Sequence, residues 1–315
     1  MVSPLAAPEF SPEKASRRET FHEAWNIKLS TPDAQHTLWL RFTQHVSSNG
    51  FKRVSENWAV YFRRGPTGRE VRQIALKQTQ DIGALTYSSE EGLRIGDCYL
   101  SHDQTRGRIQ SKGKSASWDL RIHPVRDLSF NLIPDSLSRS RLVRASASTM
   151  SEDLRFSGTL AIDGEEIQFS EAPGMLGHNS GAGHAHSWVW GHSNIFVDEQ
   201  GKPAEFIFEG LSARARVLGI LPSPKISSFF FFFKGKSYGF NSIRDAFRVQ
   251  SSHTMNEWRF HAEHGPISFR GRASAEHRDF AGVTYEDTNG SLIYCANSGL
   301  SDLEVHVYRH GKLDS

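Results

Sequence analysis

The sequence predicts an all-β protein built as two tandem antiparallel β-barrels. Short segments alternate apolar and polar residues with a period of two, as half-buried strands do. Turn dipeptides recur between these segments, among them Gly65-Pro66, Asp163-Gly164, Gly265-Pro266 and Asn289-Gly290. No interior segment carries the 3.6-residue period of a long amphipathic helix. A length of 315 residues suits two domains or one large β domain. The expected division is a flexible N-terminus over 1–18, a first barrel over 19–170 and a second over 171–315.

In chain order, Ser11-Pro12-Glu13 can open a short helix, with Ser as N-cap and Pro at the first position. From Thr20 the pattern turns to strands. FHEAWNIKL puts Phe21, Glu23, Trp25 and Ile27 on one face; HTLWLRFTQHV and NWAVYFRRG follow, the latter ended by Gly65-Pro66. Gly113 divides the segment from Arg106 to His123 into a hairpin. Residues from Pro134 to Leu154 lack periodicity, are rich in Ser and Arg, and are expected to form a long loop; Arg139, Arg141 and Arg144 cluster there. Asp163-Gly164 suits a type I′ hairpin turn. The run Phe229–Phe233 suits a strand buried on both faces, with a membrane-touching or ligand-lining strand as its functional alternative. Four further strand segments complete the chain, and His261 and His264 fall on a hairpin surface.

Composition excludes several classes. The apolar fraction is 37%, but 21 Phe and 7 Trp supply bulky side chains for a core. A net charge of +2 gives no pull toward nucleic acid or an anionic membrane. No apolar stretch is long enough to span a bilayer as a helix, so membrane contact is limited to the periphery. The N-terminus lacks the basic and apolar regions of a signal peptide, and Cys98 and Cys295 read as separate reduced thiols. Both point to a cytoplasmic location.

The stretch Gly174–Phe196 carries the chemistry. His184, His186, Trp188, Trp190, His192 and Asn194 share one parity, and mostly small residues occupy the other. On a strand this puts three imidazoles, two indoles and an amide on one face over about 35 Å. Such a face suits a cavity with flat apolar walls and a few placed polar groups; the alternative is ordinary core tryptophans with histidines at the rim. His178 and Asn179 are expected in a tight turn at the cavity mouth. His184 and His186 can reach one ion, but His192 lies about 20 Å from His186 along a straight strand. No metal site is therefore expected, and neither a phosphate loop nor a nucleophile elbow is present.

These residues resemble a known family. A GHN-x-G turn leads into W-x-W-x-H-x-N; the N-terminal half opens with FHEAW and LWLRF; the end reads TYEDTNGSLIYCANSGLSD. This is similar to the carotenoid 1,2-hydratase (hydroxyneurosporene synthase)-like and tocopherol cyclase-like family, across most of the chain. The resemblance implies two lipocalin-like barrels with a cavity near their junction. It also implies a hydrophobic unsaturated substrate, isoprenoid-like or polyene, and hydration or cyclisation of a C=C bond by proton transfer without a cofactor. Against the family's His-Asp-His-Asn-Trp-Gly pattern, His178, Asn179 and Gly181 match; Gly177 stands at the acid position and Ser180 at the tryptophan position. The candidate proton-transfer residues are then His178, His184, His186, His192 and Glu23. Asn179, Trp188, Trp190, Asn194 and Trp25 are the candidate substrate contacts. Indole faces stabilise a developing cation, and a positioned acid protonates the alkene. A carrier of isoprenoid or lipid, binding without chemistry, is the alternative.

Overall fold

A computed structural model describes residues 5–10, 20–48, 52–68, 70–134, 145–217, 221–242, 244–245 and 248–314. The helix start at Ser11-Pro12-Glu13 and the cluster Arg139, Arg141 and Arg144 lie outside them. The chain is all-β. The first unit contains β1 (Phe21–Ser30), β2 (His36–Val46), β3 (Arg53–Arg64), β4 (Val71–Asp81), β5 (Leu85–Ser88), β6 (Gly92–Ile95), β7 (Cys98–Leu100), β8 (Gln104–Ser111), β9 (Lys114–Pro124), β10 (Phe130–Asn131), β11 (Ala145–Ile162) and β12 (Glu165–Gly181). They form one curled antiparallel sheet in the order β4-β3-β2-β1-β12-β11-β9-β8-β7-β6-β5, with β10 beside β11. Its concave face encloses a core that includes Trp25, Ile27, Leu40, Phe42, Trp118, Leu120 and Phe156. In β9, Ala116, Trp118, Leu120 and Ile122 are buried at every second position, as a strand with one core face requires.

The second unit contains β13 (Ser187–Ser193), β14 (Phe206–Arg214), β15 (Arg216–Val217), β16 (Leu221–Pro222), β17 (Ile226–Phe233), β18 (Lys236–Phe240), β19 (Val249–His253), β20 (Glu257–His264), β21 (Ile267–Ser274), β22 (Ala281–Glu286), β23 (Leu292–Asn297), β24 (Asp302–Arg309) and β25 (Lys312–Leu313). Sheets β13-β14-β17-β18 and β19-β20-β21-β24-β25 close on a shared aromatic core. Strand β17 lies between β14 and β18. Phe229, Phe231 and Phe233 point into that core, while Phe230 and Phe232 turn the other way onto Phe130, Leu132 and Ile207. The β22–β23 hairpin leaves the second unit and packs Val283 and Tyr285 against Trp58, Val60 and Phe62 on the outer face of the first sheet.

Two expectations are corrected. The GHN segment is not a turn. It runs as extended backbone in β12, with Ala24 opposite Asn179 and Trp25 opposite His178 on one side and Ser148 opposite His178 on the other. Gly174, earlier on the same strand, serves close approach between strands: a Cβ there would stand 2.2 Å from the Lys28 carbonyl and 2.7 Å from the Phe156 ring. Nor is Ala145–Leu154 a loop. It is the first half of β11, and register shifts after Thr149, Ser151 and Phe156 break the two-residue alternation that marks a strand in sequence. The boundary expected at 170/171 falls inside β12, which is hydrogen-bonded on both edges within the first sheet; the chain crosses to the second unit over 182–186. The Asp163-Gly164 turn adopts the two positive φ values, 50° and 83°, that a type I′ hairpin needs.

Candidate active site

Strand alternation decides which residues meet where the two units touch. On β1, Trp25 and Ile27 face the first core, so Asn26 and Lys28 face outward. Thr149 of β11, opposite Gly177 of β12, lies on the same outer side. On β13, Val189 packs on the second core, so Trp188, Trp190 and His192 look back at the first sheet. The result is a polar and aromatic seam between two β layers.

The middle of the seam holds an acid pair. Glu152 from β11 and Glu209 from β14 are both fully buried. The Glu209 Oε1 accepts from Thr149 Oγ1 at 2.6 Å and from Trp190 Nε1 at 3.0 Å. The Glu152 carboxyl accepts no such bonds; it adjoins the Glu209 carboxyl, and His192 Nε2 stands 3.3 Å from its Oε2. Burial raises the pKa of both groups, and the neighbouring Glu209 charge pushes Glu152 further up. The Glu152 carboxyl, then Thr149, Trp190 and Lys28, favour the ionised form of Glu209. Of the two, Glu152 is therefore held further toward its protonated form. Asp153, the next residue, forms ion pairs with Arg126 and, at 2.7 Å, with Arg155, so adjacent carboxyls on one bulged strand have opposite roles.

His192 and Lys28 complete the cluster. His192 is buried, and its Nε2–H donates to the Glu152 carbonyl at 3.1 Å. Burial, reinforced by the Lys28 charge, holds its pKa well below the usual imidazole value, so the ring is neutral. The Lys28 Nζ donates to the His192 carbonyl at 2.5 Å; burial brings its pKa down to about 8, against the opposing pull of Glu209. Asn194 ties the strand end across the seam, donating to the Gly174 carbonyl at 3.1 Å and to Asp153 Oδ1 at 3.2 Å. Asn26 donates to Asn179 Oδ1 at 2.9 Å on the same face.

At its other end the seam opens into a cleft of about 30 Å³, lined by residues that include His22, Arg41, Thr43, His45, Trp58, His184 and Tyr285. The His184 ring stacks on His22 at 3.9 Å and lies 6.3 Å from Trp188, between centroids. The Asp287 carboxylate accepts from the His184 backbone N–H at 2.9 Å and from the Thr288 N–H at 2.8 Å, and its Oδ1 is 3.3 Å from His184 Nδ1. These hydrogen bonds outweigh burial and hold its pKa well below the usual carboxylate range. Arg41 lies over the Tyr285 ring, 4.8 Å from its centroid.

The expected site residues divide between two faces of the first sheet. His184, Trp188, Trp190, His192, Asn179 and Asn194 lie along the seam. Glu23, Trp25 and His178 lie together on the concave side, where His178 Nε2 is 2.9 Å from Glu23 Oε1, and Glu23 also borders the cleft. Gln44 Nε2 and the Glu9 N–H also donate to Glu23, at 2.5 and 2.8 Å, and Trp25 Nε1 donates to the Ala6 carbonyl. The segment from Leu5 to Phe10 thus covers that group. His186 precedes β13 and is exposed, with Ser187 Oγ at 3.5 Å. Glu152, Glu209, Lys28 and Arg41 were not singled out from sequence. Glu209 was findable, as the one acid within the apolar run FIFEGL. Glu152 was not, because the bulges of β11 conceal its strand. Among the described residues, no three His, Cys, Asp or Glu side chains are grouped as a metal site requires.

A family model described as tocopherol cyclase-like matches residues 86–314. No curated protein matches the sequence with significance. Kievitone hydratase from Nectria haematococca is similar in structure, with 8% identity, 93% of this chain and 85% of that chain covered, and a TM-score of 0.54. CghA, in its structure with Sch210972, is 10% identical over 100% of this chain and 96% of that chain, with a TM-score of 0.47.

Proposed function

The chain belongs to the tocopherol cyclase-like family, and from that premise we propose that it is a hydratase- or cyclase-type enzyme acting on a hydrophobic unsaturated small molecule, isoprenoid-like or polyene, by proton transfer in the seam. The observation that carries this reading is the Glu152–Glu209 pair, two carboxyls buried side by side, of which Glu152 is pushed well above the usual carboxylate range by burial and by its neighbour while Glu209 is hydrogen-bonded by Thr149 and Trp190. A group that must protonate a C=C bond needs a raised pKa and a dry setting. Glu152 gives its proton to one alkene carbon, and the cation forms on the other. The Trp188 and Trp190 faces stabilise that cation, by roughly 0.5–2 kcal/mol each. Water, or a hydroxyl of the substrate itself, then adds to the cation and returns a proton to the carboxylate. Addition of water gives a hydrate; addition of an internal hydroxyl gives a ring.

Turnover in D₂O tests the proposal. Incubation with prenylated phenols and polyenes should give a product with one non-exchangeable deuterium on carbon. Replacing Glu152 with Gln keeps the shape and removes the acid, and should abolish the label. A product formed equally by this variant, or ligands bound and released unchanged by the wild type, would overturn the reading; the latter is the behaviour of a carrier.

A further inference from the structure

We propose that the cleft at the open end of the seam is a subsite for a carboxylate head group, so that the substrate is an amphipathic acid with an unsaturated tail. This rests on the function proposed above and adds to it the polar end of the ligand. Four side-chain atoms of adjacent cleft residues carry the argument: His22 Nδ1, Arg41 Nε, Thr43 Oγ1 and His45 Nε2 are buried from water, and each lacks a hydrogen-bond partner. They form one patch. His22 stands directly opposite His45 in the β1–β2 register, and Arg41, Thr43 and His45 alternate along β2 on a single face. Buried polar atoms are rarely left without partners, so four on the lining of one cleft point to a polar group that satisfies them together.

Charge selects an anion. Lys52 is paired with Glu286 at 2.5 Å, and Lys77 with Glu56 at 3.4 Å. Among the described residues, no carboxylate forms an ion pair with Arg41. Asp287 stands near His22 but gives its Oδ1 to His184 and Thr288. His22 and His45 are neutral near pH 7, chiefly because burial disfavours their charged forms. The remaining acid on the lining, Glu23, is taken up by Gln44 Nε2, the Glu9 N–H and His178 Nε2, so among the described residues Arg41 is the cation of the cleft left without an ion pair, and its planar fork suits a carboxylate. Size agrees: about 30 Å³ has room for a head group of a few atoms. Trp58 and Tyr285 flank it, so the tail leaves between aromatic walls.

The test uses retinoic acid, methyl retinoate and retinol as probes, with binding followed by quenching of tryptophan fluorescence. The acid should bind at least about tenfold more tightly than the ester or the alcohol, as expected when one charge-assisted contact is lost. Arg41→Gln should remove that preference and leave ester affinity unchanged. Thr43→Val, nearly isosteric, should weaken acid binding by several-fold and serves if Arg41→Gln does not fold. Equal affinity for acid and ester in the wild type, or a preference that survives the folded variants, would overturn the proposal and leave the cleft as a water site. Head-group preference is read by binding alone, so it stands or falls apart from the turnover of Glu152→Gln.

Discussion

Glu152 and Glu209 show how burial raises the pKa of an ordinary carboxyl and makes it a better holder of its proton. Their side chains are isosteric with glutamine, so Glu152→Gln and Glu209→Gln should fold and yet slow turnover by about 10²-fold or more, the usual contribution of a positioned acid or base. Steady-state rates beside thermal melts separate the two effects. Stability gives a second readout. A carboxyl whose folded pKa is raised favours the folded state fully below its unfolded pKa, and that advantage is lost as pH rises toward the folded value. Relative to wild type, Glu152→Gln should therefore gain stability as pH climbs from about 4.5 toward neutrality. Parallel stability curves for the two proteins would show that Glu152 ionises freely.

At the level of elements, β17 and β12 are the least tolerant strands. Phe231 is fully buried, stacks on Phe269 at 4.1 Å between centroids and also meets Phe206, Phe208, Phe240 and Phe260. Phe231→Ala should cost roughly 3–5 kcal/mol in denaturant titration, because the surrounding rings cannot collapse into the void. A loss under about 1 kcal/mol would mean that the void closes. Gly174 tests the opposite fault. A methyl group there meets the Lys28 carbonyl and the Phe156 ring, so Gly174→Ala should cost about 1–3 kcal/mol by forcing β12 away from β1. The same shift moves Lys28 and Asn194 at the seam, so turnover should fall along with the midpoint of unfolding.

Across the whole molecule, the junction of the two units is held by neutral buried histidines as well as by apolar packing. Burial, reinforced by the Lys52 charge, brings the His45 pKa down to about 4, and His22 is lowered in the same direction. The unfolded chain binds protons at these positions below pH 6.5 while the folded chain does not, so stability should rise with pH between about 4 and 6.5. Each group adds at most roughly 1.4 kcal/mol per pH unit across its own window. His45→Gln should flatten that part of the curve, as read from thermal midpoints across a buffer series. A slope unchanged by the substitution would assign the pH dependence elsewhere.

Most strands, the Asp163-Gly164 hairpin and the common face of Trp188, Trp190, His192 and Asn194 were legible in the sequence because each depends on local geometry. A two-residue period or a positive-φ turn is written within a few adjacent residues. What each face meets is not local. The face rich in Trp and His looks outward onto the first sheet, because Gly191 and Val189 on the other side let β13 lie close over Trp258 and Phe208. Glu152 and Glu209 are 57 positions apart in sequence, and only the packing of one sheet on another brings them together. Their acidity arises from that packing. A carboxyl holds its proton when water is removed and a like charge stands beside it, and both conditions belong to the tertiary structure.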